Sequence, residues 1–200
     1  MFQISEKAGL RTAVFAVSAL VAMPALAHSG GDHVHGFAAG FAHPFSGLDH
    51  LLAMLAVGLW AAQHKRSAVW LLPLVFPLMM ILGAVAGVYG MQLPGVEAGI
   101  SGSVVVLGLL IAFAVRMPVW ASAALVSTFA LAHGHAHGIE LPKDVSPVLY
   151  CIGFVAATFV LHLIGLAVGL AAGQRTADKV VRLIGAGIAA TGAFLLAGLA

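Results

Sequence analysis

The apolar residues of this chain come in runs of roughly 17–25, the length that crosses a bilayer as an α-helix. Six such runs follow one another, about Pro44–Ala62, Ala68–Val88, Ala98–Val115, Pro118–His137, Pro147–Ala172 and Val180–Leu199. Only 8% of the 200 residues are charged and 62% are hydrophobic, whereas a soluble domain carries about 25% charged residues. Transmembrane β-barrel strands would show segments of about ten residues with alternating polarity, and these are absent. The expected fold class is therefore all-α, a polytopic membrane protein built as a six-helix bundle. A formal net charge of +2 gives no reason to expect nucleic acid as a partner. The one cysteine, Cys151, excludes an internal disulfide and any zinc site built from several thiolates, and reads as a small apolar residue near a helix end.

The first 27 residues have the pattern of a secretory signal. Lys7 and Arg11 precede a short apolar stretch, Pro24 interrupts it, and Ala25-Leu26-Ala27 fits a small-x-small cleavage site. Residues 28–43 then form a polar, histidine-bearing tail outside the cytoplasm, and residues 44–200 form the transmembrane domain. Pro44, Pro118 and Pro147 suit first-turn positions, where a missing N–H costs nothing. Gly83 and Gly87, and Gly165, Gly169 and Gly173, repeat at the spacing that lets membrane helices approach closely.

The loops set the orientation. Lys65, Arg66, Arg116, Arg175, Lys179 and Arg182 fall in or beside one set of alternate loops, and Lys143 alone in the other. The positive-inside rule puts the first set in the cytoplasm. The expected location is the bacterial inner membrane, with the mature N-terminus and the C-terminus both periplasmic. The start of the first span and the end of the fourth then face the same side.

Those two ends carry most of the ionisable groups. The first reads HPFSGLDH (His43 to His50) and the second HGHAHGIE (His133 to Glu140). Ionisable residues are costly at membrane depth, and those present usually line a path for ions or protons. His43 and His50 are nearly two helical turns apart and share a face if one helix holds both. Asp49 beside His50 needs a partner or a metal once buried. His133, His137 and Glu140 share one helical face if the helix survives Gly134 and Gly138, glycines that equally permit the unwinding seen at transporter sites. Two histidines at i, i+4 can hold one metal ion. The expected metal ligands are thus His43, Asp49, His50, His133, His137 and Glu140.

A secondary set is less constrained. His135 points away from that face as an outer-shell or mouth residue, and His162 stands alone within the fifth span as a ligand or relay, at a depth near the other clusters. His28, His33 and His35 in the tail could capture metal or be incidental. Glu97 opens the third span as a mouth or interface charge. Imidazole with one or two carboxylates suits nickel, cobalt, zinc or iron(II). Ligand histidines must be neutral, so binding weakens as the pH falls through the imidazole range.

The His43-x5-Asp49-His50 signature, continuing LLAMLAVGLWA, resembles that of the HupE/UreJ family of nickel and cobalt permeases. The second family motif, His-Gly-x-Ala-His-Gly-x-Glu, is matched by His133, Gly134, Ala136, His137, Gly138 and Glu140. The LHLIG context of His162, the signal and the six spans agree with the family as well. His135 is an extra histidine, and Ala132 stands where Phe is expected. The resemblance implies uptake of Ni²⁺, with Co²⁺ next, as transported substrate rather than as a prosthetic group. It also implies delivery toward the metallochaperones of hydrogenase or urease. No enzymatic activity is expected, and a homo-oligomer is compatible with the sequence. The competing readings are an intramembrane metal-dependent hydrolase and a membrane sensor that binds metal without moving it.

Overall fold

The computed structural model describes residues 32–64, 69–172 and 177–199, and the side chains within them except at 32–35, 177 and 178. The expected signal segment 1–27, His28, the His33 and His35 side chains, and the loop cations Lys65, Arg66 and Arg175 lie outside what is described. Seven α-helices appear among the described residues: α1 (Asp32–Ala42), α2 (Leu48–Ala62), α3 (Leu71–Val88), α4 (Val96–Ala112), α5 (Val119–Ile139), α6 (Pro147–Ala171) and α7 (Ala177–Ala197). A 3-10 turn, His43–Phe45, separates α1 from α2.

Among the described residues three helices are long and apolar enough to cross a membrane, α3, α6 and the Lys179–Ala197 part of α7. The α1–α2 pair, bent by 81°, makes a fourth if counted as one broken span. At 17 residues α4 is short, and in α5 the apolar run is diluted by Ser122, Ser127, Thr128 and three histidines. Large apolar side chains face outward as well as inward. Phe194 and Leu78 are 78% and 62% exposed, while the mostly apolar interior also holds His133 and His162, both fully buried. Apolar side chains turned outward around buried ionisable groups suit lipid as the surrounding solvent.

The first predicted span needs correction. Pro44 sits within the 3-10 turn rather than at the start of an α-helix, and α2 begins only at Leu48, with the extended residue Gly47 as its N-cap. The stretch read as a tail is helical from Asp32 onward. The other ends fit their sequence signals. Ser146 accepts from the Leu149 N–H with Pro147 in the first turn, and Pro118 is the N-cap of α5.

The main helix pairs are α3–α5, α4–α7, α2–α6 and α1–α6. Glycine seams hold them together. A Cβ on Gly134 or Gly138 would fall on the carbonyls of Met80 and Ala84, and one on Gly83 or Gly87 on those of Leu131 and His135. These matches advance together along both chains, so α3 and α5 run parallel. Gly58 packs on His162 and Gly165 on Leu55, and the advance from Met54 against Thr158 to Ala62 against Gly169 sets α2 parallel to α6. Gly108 against Ala189 and Gly192 against Val105 set α4 antiparallel to α7. The helix is unbroken through Gly134 and Gly138, so these glycines serve close packing and the site does not unwind there.

At the far end of α2, Trp60 Nε1–H, Gln63 Nε2–H and Arg182 Nε–H donate to the carbonyls of Val115, Ile111 and Ala112. They tie the C-terminal end of α4, and Val115 just beyond it, to the neighbouring helices.

Candidate metal site

His43 and His50 converge because the chain bends, not because one helix carries both. His43 sits in the 3-10 turn, and the extended Gly47 redirects the chain so that His50 lies in the first turn of α2. Their ring centroids are 6.3 Å apart. A Cβ on Gly47 would stand 2.8 Å from Asp49 Oδ1 and 3.1 Å from His50 Nδ1, so glycine here makes room for the Asp49–His50 pair.

The two motifs meet. His43 Nε2 is 3.3 Å from Glu140 Oε2, and donor atoms of His43, His137 and Glu140 all lie within 4.8 Å of one another. Ring centroids step from His43 to His137 (4.6 Å), from His137 to His50 (4.5 Å) and from His50 to His133 (5.0 Å). All six expected ligands therefore gather at one end of the bundle. Helix α2 nevertheless has its main partner in α6, and α5 in α3; the imidazoles bridge between the two pairs.

Two of the imidazoles are oriented by a bond to one ring nitrogen. The His50 Nδ1–H donates to Asp49 Oδ1 at 2.8 Å, and that oxygen also accepts from the His50 backbone N–H at 2.7 Å. The His133 Nδ1–H donates to the Phe129 carbonyl one turn back, at 2.9 Å. Tying down Nδ1 leaves the lone pair on Nε2. In both residues Nε2 is buried without a hydrogen-bond partner among the described residues, as are both ring nitrogens of His137. Metal-binding histidines are held in this way, one nitrogen anchored and the other free.

A cavity of about 210 Å³ opens onto the cluster, lined by His43, Asp49, His50, Glu97 and Glu140 among others. Three carboxylates around one opening attract cations and lower the cost of removing an ion from water. Asp49 both holds His50 Nδ1 and lines the opening. Glu97 stands at the same mouth.

Other expected residues lie elsewhere. The His135 Nε2–H donates to the Met91 carbonyl at 2.6 Å, tying α5 to the segment after α3 rather than joining the cluster. His162 is not level with the other histidines. It packs beside Gly58, about two turns along α2 from His50, or roughly 12 Å at 1.5 Å per residue.

Sequence reasoning passed over three aromatic residues that wall the site. Tyr150 and Phe154 on α6 have ring centroids 5.9 Å from His43 and 3.8 Å from His137, and Phe76 on α3 lies 5.6 Å from His133. The available signal was the four-residue spacing of Tyr150, Phe154, Thr158 and His162 within a mostly aliphatic helix, all on one buried face. His64, also passed over, links α2 to α5. Its Nδ1–H donates to the Trp60 carbonyl at 3.0 Å and its Nε2 accepts from the Ser122 hydroxyl at 2.9 Å.

A family model described as HupE / UreJ protein matches residues 15–195. Protein HupE of Rhizobium leguminosarum bv. viciae is 45% identical over 181 residues, which cover 90% of this chain and 95% of that protein. No solved structure matches the chain.

Proposed function

The chain belongs to the HupE / UreJ family, and from that premise we propose that it carries a divalent transition metal, nickel first and cobalt next, across the bacterial inner membrane into the cytoplasm. The ion is delivered there for maturation of hydrogenase or urease. The bent α1–α2 pair, α3, α4, α5, α6 and α7 make six crossings in this reading. The signal segment is removed, and both mature termini face the periplasm.

One observation carries the proposal. His43, His137 and Glu140 present ligand atoms within 4.8 Å of one another, and the free Nε2 atoms of His50 and His133 continue the donor set inward. Nitrogen donors with few oxygens favour nickel, cobalt or zinc over magnesium or calcium. Ions collect at the mouth through Glu97, Asp49 and Glu140 and lose water stepwise to His43 and His137. They then reach His50 and His133. The chain moves the ion and performs no reaction on it.

The test is accumulation of Ni²⁺ in liposomes holding the purified chain, with Co²⁺ and Zn²⁺ as competitors. His50→Ala and His133→Ala should each abolish uptake while the protein still reaches the membrane. Normal uptake in both variants refutes the site. Binding without accumulation by the unaltered chain points to a sensor, and metal-dependent hydrolysis to an enzyme.

A further inference from the structure

Pro77 lies inside α3 and has no N–H, so the carbonyl four residues before it has no helical donor. That carbonyl belongs to Pro73, and it accepts instead from the His162 Nδ1–H at 3.2 Å. The bond fixes the His162 ring and leaves the lone pair on Nε2, which is fully buried with no partner among the described residues. A buried nitrogen of this kind normally finds a donor, and this one is held by a backbone arrangement that orients it.

Phe76 stands between this histidine and the outer cluster. Its ring centroid is 5.2 Å from His162, at an interplanar angle of 88°, and 5.6 Å from His133. Thr158, one turn from His162 on the same buried face, points its hydroxyl at Met54 Sδ at 3.4 Å. The surroundings of His162 thus offer one free imidazole nitrogen against the ring of Phe76, and the carboxylates of the mouth lie with the other cluster.

We propose that His162 is a second, inner station for the transported cation, divided from the outer histidine cluster by the ring of Phe76. The proposal rests on the transport reading above. Conduction needs sites that bind well enough to admit an ion and weakly enough to release it. The outer cluster, rich in donors, provides capture. The inner station, poor in donors, provides a weaker stop two turns farther in, and the ring keeps the two from merging into one deep trap.

The experiment compares the full chain with His162→Ala and Pro77→Ala, using Ni²⁺ alone as the probe. Equilibrium dialysis counts ions bound, and liposome uptake measures transport. The unaltered chain should bind a tight ion and a weaker one. His162→Ala should keep the tight ion, lose the weaker one, and transport about tenfold less or worse, the usual scale for a lost ligand or its support. Pro77→Ala returns a donor to the Pro73 carbonyl and makes α3 more regular, so it should fold even if His162→Ala does not. It should weaken the second ion about tenfold and spare the first.

A second ion bound normally by either variant would overturn the proposal. So would loss of both ions together, which would make His162 a packing residue only. If the unaltered chain binds Ni²⁺ but fails to accumulate it, the transport reading falls, and the count of ions bound still decides whether His162 is a site.

Discussion

His43 Nε2 and Glu140 Oε2 stand 3.3 Å apart, joining the turn between α1 and α2 to the C-cap of α5. The two residues belong to different motifs and different helix pairs, so this contact closes the outer end of the site. If they act on one ion, their effects on Ni²⁺ affinity should not add. The double variant His43→Ala/Glu140→Ala should lose less than the sum of the single losses, with a coupling of about 0.5–3 kcal/mol. Ni²⁺ titration of the four proteins in detergent measures this, and strict additivity would separate the two residues.

Asp49 Oδ1 accepts from both the backbone N–H and the Nδ1–H of His50, a position from which its charge would hold the imidazole. Asp49→Asn keeps the size of the side chain and removes the charge. It should weaken Ni²⁺ binding by about 10–100-fold while the thermal unfolding temperature stays close to that of the unaltered chain. A variant with full affinity would show that the charge on the Nδ1 anchor has no part in binding.

The glycines divide sharply. A Cβ on Gly134 would meet the Met80 carbonyl, whereas one on Gly187 meets nothing within 4 Å. Gly134→Ala should push α3 from α5 and destabilise the protein by about 1–3 kcal/mol, the range for overpacking. Gly187→Ala should be neutral or stabilising by up to about 1 kcal/mol from helix propensity. Thermal melts of the two purified variants, read side by side, check the seam.

His133 and His135 are two residues apart with different tasks. His135→Gln retains a donor for the Met91 carbonyl and should leave nickel uptake unchanged, whereas His133→Ala should remove it. Equal loss of uptake in both variants would mean that the cluster extends around α5.

Much of this architecture is legible in the order of residues. Long apolar runs with few charges dictate membrane helices, because a bilayer offers the backbone no other partners. The i, i+4 spacing of His133 and His137 already puts them on one side of α5, since helical periodicity is a local property. The division between α1 and α2 was not legible that way. Proline and glycine in HPFSGLDH permit a first-turn start as readily as a bend, and packing of α1 along α6 selects the bend.

The depth of His162 was misjudged because span boundaries alone do not say how far one helix slides against its neighbour. That offset is set by Gly58 and Gly165 locking α2 onto α6. The role of Phe76 could not be seen at all, as an aromatic residue between two prolines on an apolar helix looks like any core residue.

By itself, then, the sequence determined the solvent in which this protein folds, all but the first of the helices described, and the donor atoms it brings. Each follows from hydrophobic length, local periodicity or side-chain chemistry, which act within one segment. Only the tertiary structure decided that His43 meets Glu140, that imidazoles bridge two separate helix pairs, and that Pro77 frees a carbonyl for His162. Those depend on contacts between distant segments, set by where glycines let backbones touch.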